Sequence, residues 1–297
     1  MTTAAESAET AEGTPDVPKD RLPRADSLVE PDGRLTLRLT RLPEPESGAP
    51  ELLLVLRPKK GEPETETRTV PLTRAEDGAW AGELPAEPPL TEGRWDVYAL
   101  TRPDGARLRV VPGLRDLREL AAGTRPDPSG PRIAVRLPYA TKDVYFAIRA
   151  WVRQGHAEAG DVHVDGDGMT VAVRLVGVKQ GAGAAALLKL RGGGKDGPVV
   201  EADLREDGAG GWTFTAPYDP LVEQRAAADG AEGAVADEVY WDVSLRPTRK
   251  GARVRVGRLL DDVADKKPVF VYPPAVLGTT TVQPYYTVDN DLAVRVR

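Results

Sequence analysis

Apolar and polar positions alternate over long stretches of the chain. Leu35, Leu37 and Leu39 are separated by Thr36 and Arg38, and Ile133, Val135 and Leu137 by Ala134 and Arg136. Further on, Val171, Val173 and Leu175 alternate, as do Leu292, Val294 and Val296 against Ala293, Arg295 and Arg297. A period of two gathers the aliphatic side chains on one face of a strand, as in a sheet with one buried side. Pro31-Asp32-Gly33, Pro103-Asp104-Gly105 and Asp167-Gly168 supply the turns between such strands. Helix is predicted only at 114–122 and 259–265, a turn or two each. The first 25 residues are mostly Ala, Thr, Glu, Pro and Asp. They offer too little apolar area to offset ordering entropy, so 1–25 is predicted to be a disordered tail.

The two halves of the chain echo each other. Trp95-Asp96-Val97 recurs 146 positions on as Trp241-Asp242-Val243, and Gly105-Ala106-Arg107-Leu108-Arg109-Val110 as Gly251-Ala252-Arg253-Val254-Arg255-Val256. Pro138-Tyr139-Ala140-Thr141 recurs as Pro284-Tyr285-Tyr286-Thr287, and Ala147-Ile148-Arg149 as Ala293-Val294-Arg295, at the same shift. Upstream the order holds at smaller shifts: 134 for 53–57 against 187–191, and 132 for Trp80 against Trp212. The change from 132 to 146 implies an insertion of about 14 residues between Trp212 and Trp241, predicted as loop with a short helical turn.

The predicted fold is therefore all-β: tandem duplicated immunoglobulin-like antiparallel β-sandwiches, the first over 26–151 and the second over 161–297, joined by a linker at 152–160. Trp80, Trp95, Trp212 and Trp241, present in both halves, are predicted core anchors, with sugar stacking as the rival role. Tyr139 and Tyr285 are predicted corner residues whose hydroxyls cap backbone across a turn.

Composition narrows the chemistry. The chain has 297 residues, no cysteine and only two histidines, His156 and His163. Disulfides, thiolate metal sites and a cysteine nucleophile are excluded. There is no Gly-x-Ser-x-Gly elbow, and Gly192-Gly193-Gly194-Lys195 lacks phosphate-loop spacing and is predicted as a hairpin turn. No cofactor is implied. Asp161, Asp165 and Asp167 around His163 fail the calcium-loop spacing, since the twelfth residue from Asp161 is Ala172. They and Asp289-Asn290-Asp291 are predicted turns, with a weak cation site left open. A net charge of −6 argues against nucleic acid. No run of apolar residues is long enough to insert in a membrane, and the N-terminus lacks an export signal, so a cytoplasmic location is expected.

Arginine is the exception to the acidic balance. Arg107 and Arg109 alternate with Leu108 and Val110, and Arg253 and Arg255 with Val254 and Val256, while Arg38, Arg136, Arg149, Arg174 and Arg295 also fall at predicted outward positions. Such guanidinium rows can take phosphate or carboxylate, or can pair across strands with residues such as Asp96 and Asp242. Aromatics present in one half only are free of the shared fold's requirements: Tyr145, Trp151, Tyr218 and Tyr286. These four and the four arginines at 107, 109, 253 and 255 are the candidate binding residues.

The closing segment Val282-Gln283-Pro284-Tyr285-Tyr286-Thr287-Val288-Asp289-Asn290-Asp291-Leu292-Ala293-Val294 resembles the accessory β-sandwich domains of actinobacterial cell-wall glycosyltransferases and CDP-glycerol glycerophosphotransferases of teichoic-acid type. The resemblance covers the end of each half, and the catalytic α/β region of those enzymes has no counterpart here. It implies a non-catalytic companion that binds a glycan polymer or an enzyme, and assigns no functional residue. The expected role is recognition of an anionic glycan or polyol-phosphate polymer. A protein–protein scaffold acting through sheet edges and the insertion is the alternative, and a carboxylate-dependent hydrolase the third reading.

Overall fold

The computed structural model describes residues 18–45, 48–122, 132–208, 210–229 and 238–297. It is all-β in character and divides into two compact units, Met1–Glu119 with Arg136–Ala150, and Leu120–Val135 with Trp151–Arg297.

The strands of the first unit are β1 (Arg24–Val29), β2 (Leu35–Arg41), β3 (Glu51–Leu56), β4 (Thr67–Pro71), β5 (Thr73–Arg74), β6 (Trp80–Leu84), β7 (Gly93–Leu100), β8 (Leu108–Arg109), β9 (Val111–Asp116), β10 (Ile133–Ala140) and β11 (Phe146–Arg153), with one helical turn, α1 (Arg118–Ala121). One sheet runs β5-β6-β2-β1-β9 and the other β10-β11-β7-β3-β4, with β8 paired to β7. Leu35, Leu37 and Leu39 of β2 and Trp95, Val97 and Ala99 of β7 are all buried, as period two requires. Tight turns connect the strands. Gly33, at φ +80°, closes the β1–β2 hairpin, where the Asp32 carboxylate accepts the Arg34 amide at 3.0 Å.

In the second unit the strands are β12 (His156–Val164), β13 (Gly168–Val176), β14 (Ala185–Leu190), β15 (Val199–Glu206), β16 (Trp212–Pro217), β17 (Val239–Arg246), β18 (Val254–Gly257), β19 (Ala275–Leu277), β20 (Thr280–Tyr286) and β21 (Leu292–Val296). They do not form two open sandwich layers. β14 pairs with both β15 and β17, so β14-β15-β16-β13-β12-β18-β17 closes on itself as a barrel, and β21-β20-β19 extends from β17. The predicted antiparallel order is also broken, because β1 pairs with β9 and β12 with β18 in parallel.

Two strands, β15 and β18, close the barrel. β15 pairs with β14 at one end and β16 at the other, and β18 joins β12 to β17. Counted at the upstream shift of 132, Asp203 in β15 corresponds to Pro71 in the first unit. Pro71 ends β4, paired with Glu51, and the strand is interrupted at Leu72 before β5; β8 and β9 are likewise parted at Val110, and the two breaks leave two sheets.

Pairing registers recur between the units. Leu56 faces Trp95, and Leu190 faces Trp241. Trp95 also faces Ile148, as Trp241 faces Val294. Leu39 faces Trp80 as Val173 faces Trp212, and the parallel pair Arg24–Val111 corresponds to Glu158–Gly257.

Several boundaries differ from expectation. Arg24 and Ala25 already pair in β1, while residues 1–17 of the predicted tail lie outside the described residues. The predicted linker 152–160 runs in β11 and β12, where His156 and Ala157 are ladder-paired and buried. Residues 259–265 are not helical. The predicted insertion carries a full helix, α2 (Asp219–Asp229), opened by Asp219 and Pro220, which suit a first turn where N–H groups have no intrahelical acceptor. Among the described residues no helix is long and apolar enough to cross a membrane.

Candidate functional site

A cavity of about 480 Å³ lies in the second unit, against the outer face of β17, β21 and β20. Alternation places its floor. Trp241, Val294, Val282, Pro284 and Tyr286 turn inward, so Tyr240 and Asp242, Arg295, and Gln283 and Tyr285 turn outward. Register then aligns them in two rows. Tyr240, Arg295 and Gln283 stand side by side, and in the next row Ala293 separates Asp242 from Tyr285. A methyl group between longer side chains leaves the row concave.

The wall opposite is a strap, 258–272, tied down at several points. The Gly257–Asp291 bridge starts it, and the Arg258 amide donates to the Asn290 carbonyl at 3.0 Å. Asn290 is buried at φ 61°, its Oδ1 accepting the Lys266 amide at 3.2 Å and its Nδ2 donating to the Ala264 carbonyl at 3.1 Å. The fully buried Lys266 ammonium donates to the Asp261 carboxylate and the Val263 carbonyl. Its pKa is pushed down by burial, against the pull of Asp261. Beyond it, Phe270 and Tyr272 pack on the Tyr286 ring at centroid distances of 5.7 and 6.2 Å, and the Gln283 amide donates to the Tyr272 carbonyl at 2.6 Å.

The lining is aromatic and cationic, and includes no carboxylate. The Tyr240 and Tyr285 rings meet edge to face at 5.9 Å. Arg191 lies 5.2 Å over Tyr240, reaches the Tyr285 hydroxyl at 3.5 Å, and forks onto Asp242 with Nε–Oδ1 at 3.1 Å. That fork, chiefly, raises the guanidinium pKa. Tyr240 donates its hydroxyl to Glu238 at 2.6 Å, which raises the phenol pKa and, with the Arg297 contact at 3.0 Å, holds Glu238 below the usual carboxylate range. Arg295 donates to Gln283 Oε1 and stands 3.7 Å from Glu238. Lys267 holds its ammonium 6.0 Å above the Tyr285 ring.

The residues singled out from sequence are not all here. In the first unit Arg107, Arg109 and Tyr145 come together, with Arg109 stacked at 4.7 Å on Tyr98 and 5.1 Å on Tyr145. Arg107 pairs with Glu64 at 2.8 Å and Arg109 with Asp96 at 3.3 Å. Arg253 is exposed, away from the cavity lining, and Arg255 pairs with Asp291 at 2.9 Å. Trp151, Tyr218 and Tyr286 are fully buried, so their rings pack in the interior and do not line the cavity. Burial drives the phenol pKa of Tyr218 and Tyr286 upward. Arg136 and Arg149, predicted outward, are buried too. Arg136 donates to the backbone carbonyls of Gly33, Leu84 and Pro85, and desolvation pulls its pKa down to about 10. Tyr285 does not cap backbone; its hydroxyl meets Arg191.

A second, more open cavity of about 400 Å³ in the same unit is lined by Glu158, Asp161, Asp207 and Asp261, with Arg174 and Arg258. Glu158 already accepts from His156 Nε2 at 2.8 Å and from the Leu259 and Leu260 amides, and Asp261 from Lys266 and Arg258. Among the described residues no group of three or more His, Asp or Glu is arranged to hold a metal.

No protein-family model matches the chain, and no curated protein matches it. Among solved structures it is similar to S. aureus TarS, at 15% identity and TM-score 0.34 over 56% of this chain, and to TarS 217–571, at 14% and 0.29 over 65%. The chain spans 28% and 54% of those two chains. The likeness is loose, and no residue is assigned through it.

Proposed function

We propose that the second unit is a non-catalytic binding module for an anionic, polyhydroxylated polymer, a glycan bearing acidic groups or a polyol phosphate. The observation that carries this reading is the lining itself. Tyr240, Tyr285 and Phe270 line the cavity with Arg191, Lys267 and Arg295, in a chain whose net charge is −6, and the nearest carboxylates, Asp242 and Glu238, lie outside the lining and are already engaged by Arg191 and by Tyr240 and Arg297. Aromatic faces suit the C–H faces of sugars and polyols, guanidinium and ammonium groups suit phosphate or carboxylate, and Gln283 and Thr287 supply hydroxyl partners. The volume fits a few polyol or sugar units. Calorimetric titration with a glycerol-phosphate oligomer tests the reading. Binding should appear at low ionic strength, weaken with added salt and fall at least tenfold in Tyr285→Ala; no heat with the oligomer at low salt would refute it.

We also infer that the two units are copies of one ancestral β unit of immunoglobulin-like type. The recurring registers and the ion pair Arg57–Asp96, matched by Arg191–Asp242, support common descent. In the second copy the strap carries Phe270 and Tyr272, where the sequence of the first copy has Thr124 and Pro126 at the shift of 146.

One observation favours the scaffold reading. β19 ends its sheet with a partner on one side only among the described residues, and Val276 on it is exposed. A hydrolase reading has less support, since Glu158 and Asp261 are committed to backbone amides and to Lys266.

A further inference from the structure

The three cations of the cavity are not equivalent. Arg191 is forked on Asp242, and Arg295 is held by Gln283 with Glu238 beyond it. Lys267 alone among the three has no carboxylate within salt-bridge distance among the described residues, and its ammonium is met by the face of Tyr285. Its root is fixed even though its tip is exposed. The residue before it is the fully buried Lys266, its own amide donates to Asp265 Oδ1 at 3.2 Å, and Pro268 after it restricts its backbone. A guanidinium engaged in a bidentate pair has its donors and charge largely spent, whereas a lone ammonium over an aromatic face still seeks an anion.

We infer that Lys267 is the charge-reading residue of this cavity. It selects chains with an acidic group, a phosphodiester or a carboxylate, spaced so that the group meets the ammonium while the adjoining polyol or sugar lies on Tyr285 and Tyr240. The inference rests on the binding reading above and deepens it. Arg191 orients the Tyr240 and Tyr285 rings, Arg295 holds Gln283 on the floor, and the preference for charged over neutral ligands comes from Lys267.

The test compares a glycerol-phosphate oligomer with a neutral glucan of equal length, titrated into the full chain and into Lys267→Met and Lys267→Arg. In the wild type the charged oligomer should bind more tightly. Lys267→Met should reduce that preference about ten- to a hundredfold, the scale of a lost charge-assisted hydrogen bond, and should lower the salt dependence. Lys267→Arg should restore most of the preference. Near-ultraviolet circular dichroism checks that the variants fold. Binding of both oligomers with a preference that Lys267→Met leaves unchanged would overturn the role of Lys267 while the cavity stands as the site. Binding of neither oligomer to the wild type would overturn the binding reading, and this inference with it.

Discussion

Asn290 holds the strap that forms one wall of the cavity, and replacing it separates backbone strain from lost hydrogen bonds. In Asn290→Ala the buried Lys266 amide loses its acceptor and the Ala264 carbonyl its donor. Each orphaned group costs about 1–3 kcal/mol, toward the lower figure for the partly exposed Ala264 carbonyl. Alanine at φ 61° adds roughly 1–2 kcal/mol, because its Cβ crowds the carbonyl in the left-handed region. The expected total is about 3–7 kcal/mol, a large part of the ~5–15 kcal/mol that holds a typical domain folded. Asn290→Gly accepts the backbone angle and should recover only the strain, about 1–2 kcal/mol. Urea unfolding followed by tryptophan fluorescence measures both, and amide exchange at Lys266 reports the strap directly. If Asn290→Gly matched the wild type within about 0.5 kcal/mol, the hydrogen bonds assigned to Asn290 would not be anchoring the strap.

Other outcomes follow from the same contacts. Arg136→Met should destabilise the first unit by about 2–4 kcal/mol in denaturant titration, since it strands the carbonyls of Gly33 and Pro85. Trp95→Ala and Trp241→Ala should each cost about 3–5 kcal/mol, as expected for a fully buried indole. Glu238 has its pKa lowered by Tyr240 and Arg297, so its stabilising contribution is present above the unfolded value near ~4.3 and is lost as pH falls through the lower folded value. The gap in melting temperature between wild type and Glu238→Gln should therefore close on acidification from pH ~6 to below the folded pKa, and a gap independent of pH would refute the assignment.

Much of the β structure was legible because period-two alternation and Gly/Asp turns are local signals. Leu35, Leu37 and Leu39 are buried, Gly33 closes the β1–β2 hairpin, and all four shared tryptophans sit in strands, with Trp95 and Trp241 fully buried. Barrel closure was not legible, because it depends on β15 and β18 each running unbroken from one partner strand to the next, whereas the corresponding strands of the first unit are interrupted at Leu72 and Val110. The segment expected as a linker, 152–160, includes ladder residues for a related reason: His156 and Ala157 pair with Val176 and Leu175, partners set by the fold rather than by local sequence.

The candidate site was half visible. Searching for aromatics peculiar to one half selects Tyr218 and Tyr286, which the second unit uses to fill its own core, and the same search would have reached Tyr240, Phe270 and Tyr272. Copy asymmetry marks what the shared fold does not require; it does not say on which side of a sheet a ring ends up. Arg136 shows the same ambiguity in reverse, an arginine at a nominally outward position whose fork is spent on buried carbonyls. The strap has no periodicity, and its anchoring by Lys266 and Asn290 exists only once 264–266 and 290 meet.

The central claim is that the outer face of β17, β21 and β20, closed by the strap, is where a polyanionic polyol binds. Nuclear magnetic resonance titration of the labelled chain with a glycerol-phosphate oligomer tests it most directly. The account predicts saturable shifts concentrated at Tyr240, Lys267, Gln283 and Tyr285, and saturation at a ligand concentration at least tenfold higher in Tyr285→Ala. Shifts confined to the Arg107–Arg109 strand of the first unit, to Arg253, or to β19 would contradict it.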